Sequence, residues 1–512
     1  MKKPALFSCC LVLALSMLTG CGGSSSIVQP APLSDQSINL IFVLSPDLTY
    51  SATGDVNPNT ANLTNQGLQR SLQMATFLKQ QVLGSRNVTG IYAIEPMTHL
   101  QTANNFPDIA SMGAIQQFAM LNQATTSADG VAPPTVTENS FPLNASYDAG
   151  QVLPTGVVTP FAILPCPSCQ GLNFSNSGGS NDALVARIVN SKAIGYHVFS
   201  APWETVSAML ANINKIYGSS LPIPTGYAGP NLVYAVSIAP TGSASLTTYN
   251  ANLSPAITAP VLPTPLPQAA CYGQPTSFNF TITAGQPYVQ TLNGVTTTGN
   301  TTAVLPPGIS VNQTVYMIRH AEAHPGPGGS FEDGNFVAAG QWRALGLADA
   351  LRGKISPDMV YSIDPAQVIP IAGKVKTPPF NYLYSYVRPT MTAEPYAIAN
   401  NLPFYLASSF SLMDDTPSLA NTNNYFFIGG TFSNKKILLA WEHSHFPPTL
   451  NDLLARYFPN GGAPSLANSF WPGDDYDTVW TVKLDGQGNL TANNALCEGI
   501  NSTNLPKTAP QF

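Results

Sequence analysis

Val315-Tyr316-Met317-Ile318-Arg319-His320-Ala321-Glu322 is the stretch that decides how this chain folds. An apolar, β-prone run ends abruptly in an arginine, a histidine and a carboxylate, and the Gly/Pro-rich loop Pro325 to Gly329 follows. The pattern predicts a strand that delivers charged chemistry at its C-terminal end. In open α/β sheets the crevice beyond the carboxyl ends of the strands is where ligands bind, which gives that order a mechanism. A second run, Lys436 to Trp441, ends in Glu442-His443-Ser444-His445 and repeats the arrangement. His320, His324, His443 and His445 are four of the six histidines of the chain, more than buried core histidines would place at two strand ends.

Outward from these runs, strands and amphipathic helices alternate, which predicts an α/β layered fold. In the first half the strand Ile38 to Leu44 leads to a helix with apolar face Leu68, Leu72, Ala75, Leu78 and Val82, then to a strand over 91–94. Residues 131–181 read as long loops; a strand near 196–200, a helix over 204–216 and a strand over 232–238 follow. Ser254 to Pro275 is proline-dense and marks the boundary between halves, followed by a hairpin over 277–292. The second half repeats the order, with a helix over 340–351 and strands over 359–363, 437–441 and 479–484. Ile41 to Leu44 matches Val315 to Ile318, Gly67-Leu68-Gln69-Arg70 matches Gly340-Gln341-Trp342-Arg343, and Tyr92 to Pro96 matches Tyr361 to Pro365. Three matches in one order predict a tandem duplication. Ser45-Pro46 stands in the first half where Arg319-His320 stands in the second, so the first copy is expected to be catalytically silent, with His99 and His197 structural.

The Arg-His-Ala-Glu run after its strand resembles the signature of the histidine phosphatase (phosphoglycerate mutase-like) superfamily. The resemblance covers roughly the last two hundred residues at motif level. It implies two three-layer αβα units in tandem: a degenerate one over 38–253 and a catalytic one over 312–512, joined by the linker and hairpin at 254–311. It also implies that His320 becomes phosphorylated, that His443 lies beside it, and that Arg319 and Arg388 clamp the phosphoryl group. Arginine suits that task because its planar fork binds a dianion bidentately. A carboxylic acid must protonate the departing oxygen; Asp414 is ranked first, with Asp415, Glu322 and Glu442 as competitors.

Lys2 and Lys3, the apolar run to Leu18 and Leu18-Thr19-Gly20-Cys21 resemble a bacterial lipoprotein signal over 1–20, implying lipid on Cys21 and a tether over 21–37. The expected location is then the cell envelope, on an outer membrane. Cys166, Cys169, Cys271 and Cys497 remain and read as disulfides, preferably 166 with 169 and 271 with 497; a redox role for Cys166 and Cys169 is the rival reading. No zinc-ligand spacing accompanies them, and neither metal nor cofactor is expected. Only 9% of residues are charged, against roughly 25% in an average soluble protein, and no basic cluster follows the first residues. Nucleic acid is thereby excluded as a partner. The resulting expectation is an envelope-anchored phosphohydrolase acting on a small phosphorylated substrate, against a non-catalytic envelope lipoprotein with the same fold.

Overall fold

The computed structural model describes residues 29–50, 54–127, 135–148, 166, 168–271, 277–323, 333–366, 368–370, 383–407 and 416–512. The signal segment, Cys21, His324, Asp414 and Asp415 lie outside the described residues. No helix among the described residues is long and apolar enough to cross a membrane.

The first half contains β1 (Ile38–Leu44), α1 (Asn65–Phe77), β2 (Gly90–Ala93), α2 (Ala110–Met120), α3 (Ser180–Asn190), β3 (Gly195–Ala201), α4 (Trp203–Tyr217), β4 (Leu232–Ile238) and β5 (Ala244–Asn250). The Thr64 side chain accepts from the Gly67 amide and so starts α1; Gly218, in the left-handed region, ends α4. The sheet runs β2-β3-β1-β4-β5, the first three strands parallel and the last two antiparallel.

The second half contains β6 (Phe278–Ile282), β7 (Pro287–Leu292), β8 (Val295–Thr302), β9 (Gln313–Arg319), α5 (Ala338–Ala350), β10 (Met359–Ile363), α6 (Arg388–Ala399), β11 (Phe404–Ala407), α7 (Thr416–Phe427), β12 (Lys436–Trp441), α8 (Phe446–Arg456), β13 (Thr478–Leu484) and β14 (Leu490–Cys497). Its sheet runs β8-β7-β6-β14-β13-β9-β12-β10-β11. Within it the order β10-β12-β9-β13-β14 repeats the first sheet strand for strand, with the same directions. The hairpin expected between the halves is instead part of the second sheet, because β6 pairs with β14 and a third strand extends it.

Each sheet has helices on both faces. On the outer sides α4 covers the first sheet and α8 the second, each with its own apolar cluster. On the inner sides the layers meet: α6 contacts α1 and α2, and α2 contacts α5. The core there is shared, with Ile115 and Phe118 in the same cluster as Ala344, Met391 and Ala397. Both disulfides form as the sequence suggested, Cys166 with Cys169 and Cys271 with Cys497, the second tying the linker to the end of β14.

Two of the expected correspondences, those of residues 41–44 and of Ser45-Pro46, shift by a residue. The Ser45 amide donates to Ala201 O at 2.9 Å, as the His320 amide donates to Trp441 O at 3.0 Å, so Ser45 alone stands where His320 stands and Leu44 where Arg319 stands. His197 is structural, its Nε2 against Ala193 O at 2.9 Å, and His99 pairs with Asp108 at 3.0 Å.

Candidate active site

β9 and β12 are neighbouring parallel strands, Arg319 opposite Trp441, so their C-terminal ends bring His320 beside Glu442 and His443. His320 is almost wholly buried, at 2% exposure. Its Nδ1 lies 2.8 Å from Ala321 O, a pure acceptor, so that nitrogen carries a proton and donates it. This leaves Nε2 as the nitrogen with a usable lone pair, and it points at Glu442 Oε2, 3.0 Å away. Burial alone would raise the Glu442 carboxyl, but His320 and His443 outweigh it and hold Glu442 well below its usual range. Burial pushes the His320 pKa down to about 4, opposed by Glu442 and assisted by the positive charges of Arg319 and Arg388.

Glu442 is the hub of the site. Besides His320 it contacts His443 Nδ1 and accepts from the Tyr386 hydroxyl and, at 3.1 Å, from the His443 amide. Tyr386 stands edge-on to His320 at 6.1 Å, as does Tyr476.

The two arginines arrive from different elements. Arg319, the last residue of β9, lies under the Tyr476 ring at 3.9 Å and donates to Gly473 O at 2.7 Å. Asp475 fixes that loop by accepting from the amides of Asp477 and Thr478, both at 3.0 Å. The Arg319 Nε is buried and has no hydrogen-bond partner among the described residues. Arg388 opens α6 and lies over the Tyr386 ring at 4.8 Å. Thus His320, Arg319, Arg388, His443 and Glu442 form one cluster at the carboxyl ends of the strands.

Glu322, a competitor for the acid role, is committed elsewhere: it accepts from Arg343 Nε at 2.8 Å, inside a buried network with Glu498. Tyr386 and Tyr476 carried no sequence signal beyond being aromatic residues near charged ones. Among the described residues no group of three or more His, Cys, Asp or Glu side chains is arranged to hold a metal ion.

No protein-family model and no curated protein matches the chain. Among solved structures, it is similar to the protein histidine phosphatase SixA complexed with tungstate, at 17% identity, TM-score 0.22, covering 38% of this chain and 99% of that one. A phosphoglycerate mutase from Plasmodium falciparum follows at 10% identity and TM-score 0.23, covering 38% and 94%. A mycobacterial hydrolase stands at 12% and 0.22, covering 36% and 91%. At such TM-scores the likeness carries no weight of its own, and the reading rests on the geometry of the cluster.

Proposed function

We propose that the second half is a phosphohydrolase that cleaves phosphate monoesters through a phosphohistidine at His320 Nε2. The observation that carries this reading is a buried imidazole, tethered at Nδ1 to a carbonyl and kept neutral, with two arginines close enough to lower its pKa. A neutral imidazole is a nucleophile; paired arginines are a receptor for a dianion.

Glu442 completes the cycle, and we assign it the acid's role ahead of Asp414. On their own His320 and His443 hold Glu442 ionised; a phosphate monoester entering as the monoanion gives Glu442 its proton, because the like charges then brought together raise the carboxyl pKa. Nε2 then attacks phosphorus, the bond from phosphorus to the leaving oxygen breaks, and that oxygen takes the Glu442 proton. Water next attacks the phosphohistidine and gives a proton to Glu442, the N–P bond breaks, and neutral His320 returns. Arg319 and Arg388 hold the phosphoryl oxygens throughout, and His443 orients Glu442 while facing the same group.

The substrate proposed is a small phosphorylated molecule. The first half is proposed to be a silent copy of the second, supported by the shared strand order and by Ser45 at the place of His320. Its helix α2 begins with Ala110 where α6 begins with Arg388. A lipid on Cys21, proposed from the sequence alone, would hold the protein at a bacterial envelope membrane; loss of detergent partitioning in Cys21→Ala tests it.

The direct test uses p-nitrophenyl phosphate. Wild type should release phosphate and form an acid-labile phosphoryl adduct, while His320→Ala should lose both, with turnover down by several powers of ten. Absence of turnover in wild type across acid and neutral pH would favour the non-catalytic lipoprotein instead.

A further inference from the structure

We propose that Ser385 is a positioning residue through which the first half sets Tyr386 and Arg388, making that half a working part of the active site. The proposal rests on the phosphohydrolase reading for its kinetic consequences, but its geometry is independent of it. Ser385 is buried at 2% exposure. A serine hydroxyl offers one donor and two acceptor lone pairs, and all three are used. The Ala145 amide donates to it at 3.0 Å, Ser146 Oγ lies 2.6 Å away, and its own hydrogen reaches Cys169 O at 3.3 Å. Every partner belongs to the first half.

Those partners are themselves braced. The Ser146 amide donates to Cys169 O at 3.1 Å, and the Gly171 amide to Ser146 O at 2.8 Å. The Cys166–Cys169 bridge closes the turn that presents the Cys169 carbonyl, with the Cys169 amide on Cys166 O at 3.0 Å. This gives the bridge a use that needs no redox chemistry.

From the other side the segment is gripped by the turn at Gly334, which has φ +75°. A Cβ there would lie 1.9 Å from Ser385 O, so only glycine permits the approach, and Gly334 O accepts from the Arg388 amide at 3.1 Å. That turn is fastened to the first half as well. Ser140 Oγ donates to Asp333 at 2.6 Å, and Asn335 donates to Phe141 O at 3.0 Å. Both grips on the segment from Ser385 to Arg388 therefore lead back to the first half. What the segment carries is the tyrosine on Glu442 and the arginine beside His320. Misplacing such groups by about 1 Å costs on the order of a hundredfold in rate.

Ser385→Ala and Ser146→Ala in the full chain test the idea, with p-nitrophenyl phosphate turnover, inorganic phosphate affinity by calorimetry, and thermal melting measured on each. Ser385→Ala should lower kcat and weaken inorganic phosphate by about tenfold or more in protein that is still folded at the assay temperature. Ser146→Ala should move both in the same direction by less, since the Ala145 amide and Cys169 carbonyl remain, and it carries the test if Ser385→Ala does not fold. Unchanged kcat and phosphate affinity in folded variants, or losses accounted for by the unfolded fraction, would overturn the proposal. A wild type that binds phosphate without turnover removes the phosphohydrolase reading alone, and phosphate affinity still reads Ser385. A wild type that does neither overturns both.

Discussion

His320 attacks only when neutral, so its depressed pKa fixes the acid limb of activity. With the folded value near 4, below the ordinary 6.5, the imidazole stays neutral at every pH well above 4 and gains a proton as pH falls through it. Phosphate release per enzyme should hold steady from neutrality to about pH 5 and fall below about pH 4. A limb centred near 6.5 in a pH–rate profile would show that burial does not govern this histidine. Arg388→Lys belongs to the same scale. A point charge replaces a fork, and the stacking on Tyr386 is lost, so kcat/KM should drop by at least about tenfold, roughly 1.4 kcal/mol. Equal activity would remove Arg388 from the clamp. His320, Arg319, Arg388 and His443 could be singled out because each stands at or just past a strand end, or opens a helix, in a recognisable run. Glu442 was legible only as a competitor, since its contact with His320 spans 122 positions. Ser385 was not legible at all: its partners lie more than two hundred positions away.

Interior strands of both sheets were readable because apolar runs bounded by turns leave little choice, and the sequence bounds 38–44, 232–238 and 359–363 recur unchanged. Helix α2 was missed for a physical reason. All of its residues are buried between the two halves, so it has no polar face and no 3.6-residue alternation to detect. The paired helices α1 and α5 offer an element-scale test of the duplication. Gly67 packs so closely that a Cβ would lie 2.1 Å from Asp55 O, and Gly340 so that one would lie 2.7 Å from Glu322 O. Three residues on, Arg70 binds the Asp55 carboxylate at 2.7 Å, and Arg343 binds Glu322 at 2.8 Å. Helix, glycine, arginine and carboxylate thus form the same device twice. Gly67→Ala and Gly340→Ala should each destabilise the protein by about 1–3 kcal/mol, the usual cost of overpacking, in thermal or urea melts. Tolerance at one site with damage at the other would mean the resemblance between the two devices is superficial.

At the scale of the molecule, the seam between the halves buries carboxyl groups as well as apolar side chains and the Ser385 network. Glu95 faces Asp364 across it, with Asp148 on its own side, and burial raises Glu95 well above its usual range and Asp364 to about 6. Glu394, on α6, presses against Gly113 of α2, where a Cβ would lie 2.2 Å from its Oε1. Burial, with Asp108 adding to it, raises Glu394 to about 8, and its Oε1 has no hydrogen-bond partner among the described residues. The sign follows from proton counting. Between the ordinary carboxylate value of 4.5 and 8, the folded protein keeps a proton on Glu394 that the unfolded chain releases. Stability from this group is therefore full below about 4.5, declines as pH rises through that window, and levels off above 8. Glu394→Gln keeps the shape and cannot ionise, so it should lie close to wild type near pH 5 and exceed it at pH 8, by on the order of 4 kcal/mol. The measurement is a pair of urea melts at the two pH values. An equal difference at both would mean that Glu394 meets water at the seam, and that the halves are held there less tightly than their shared core implies.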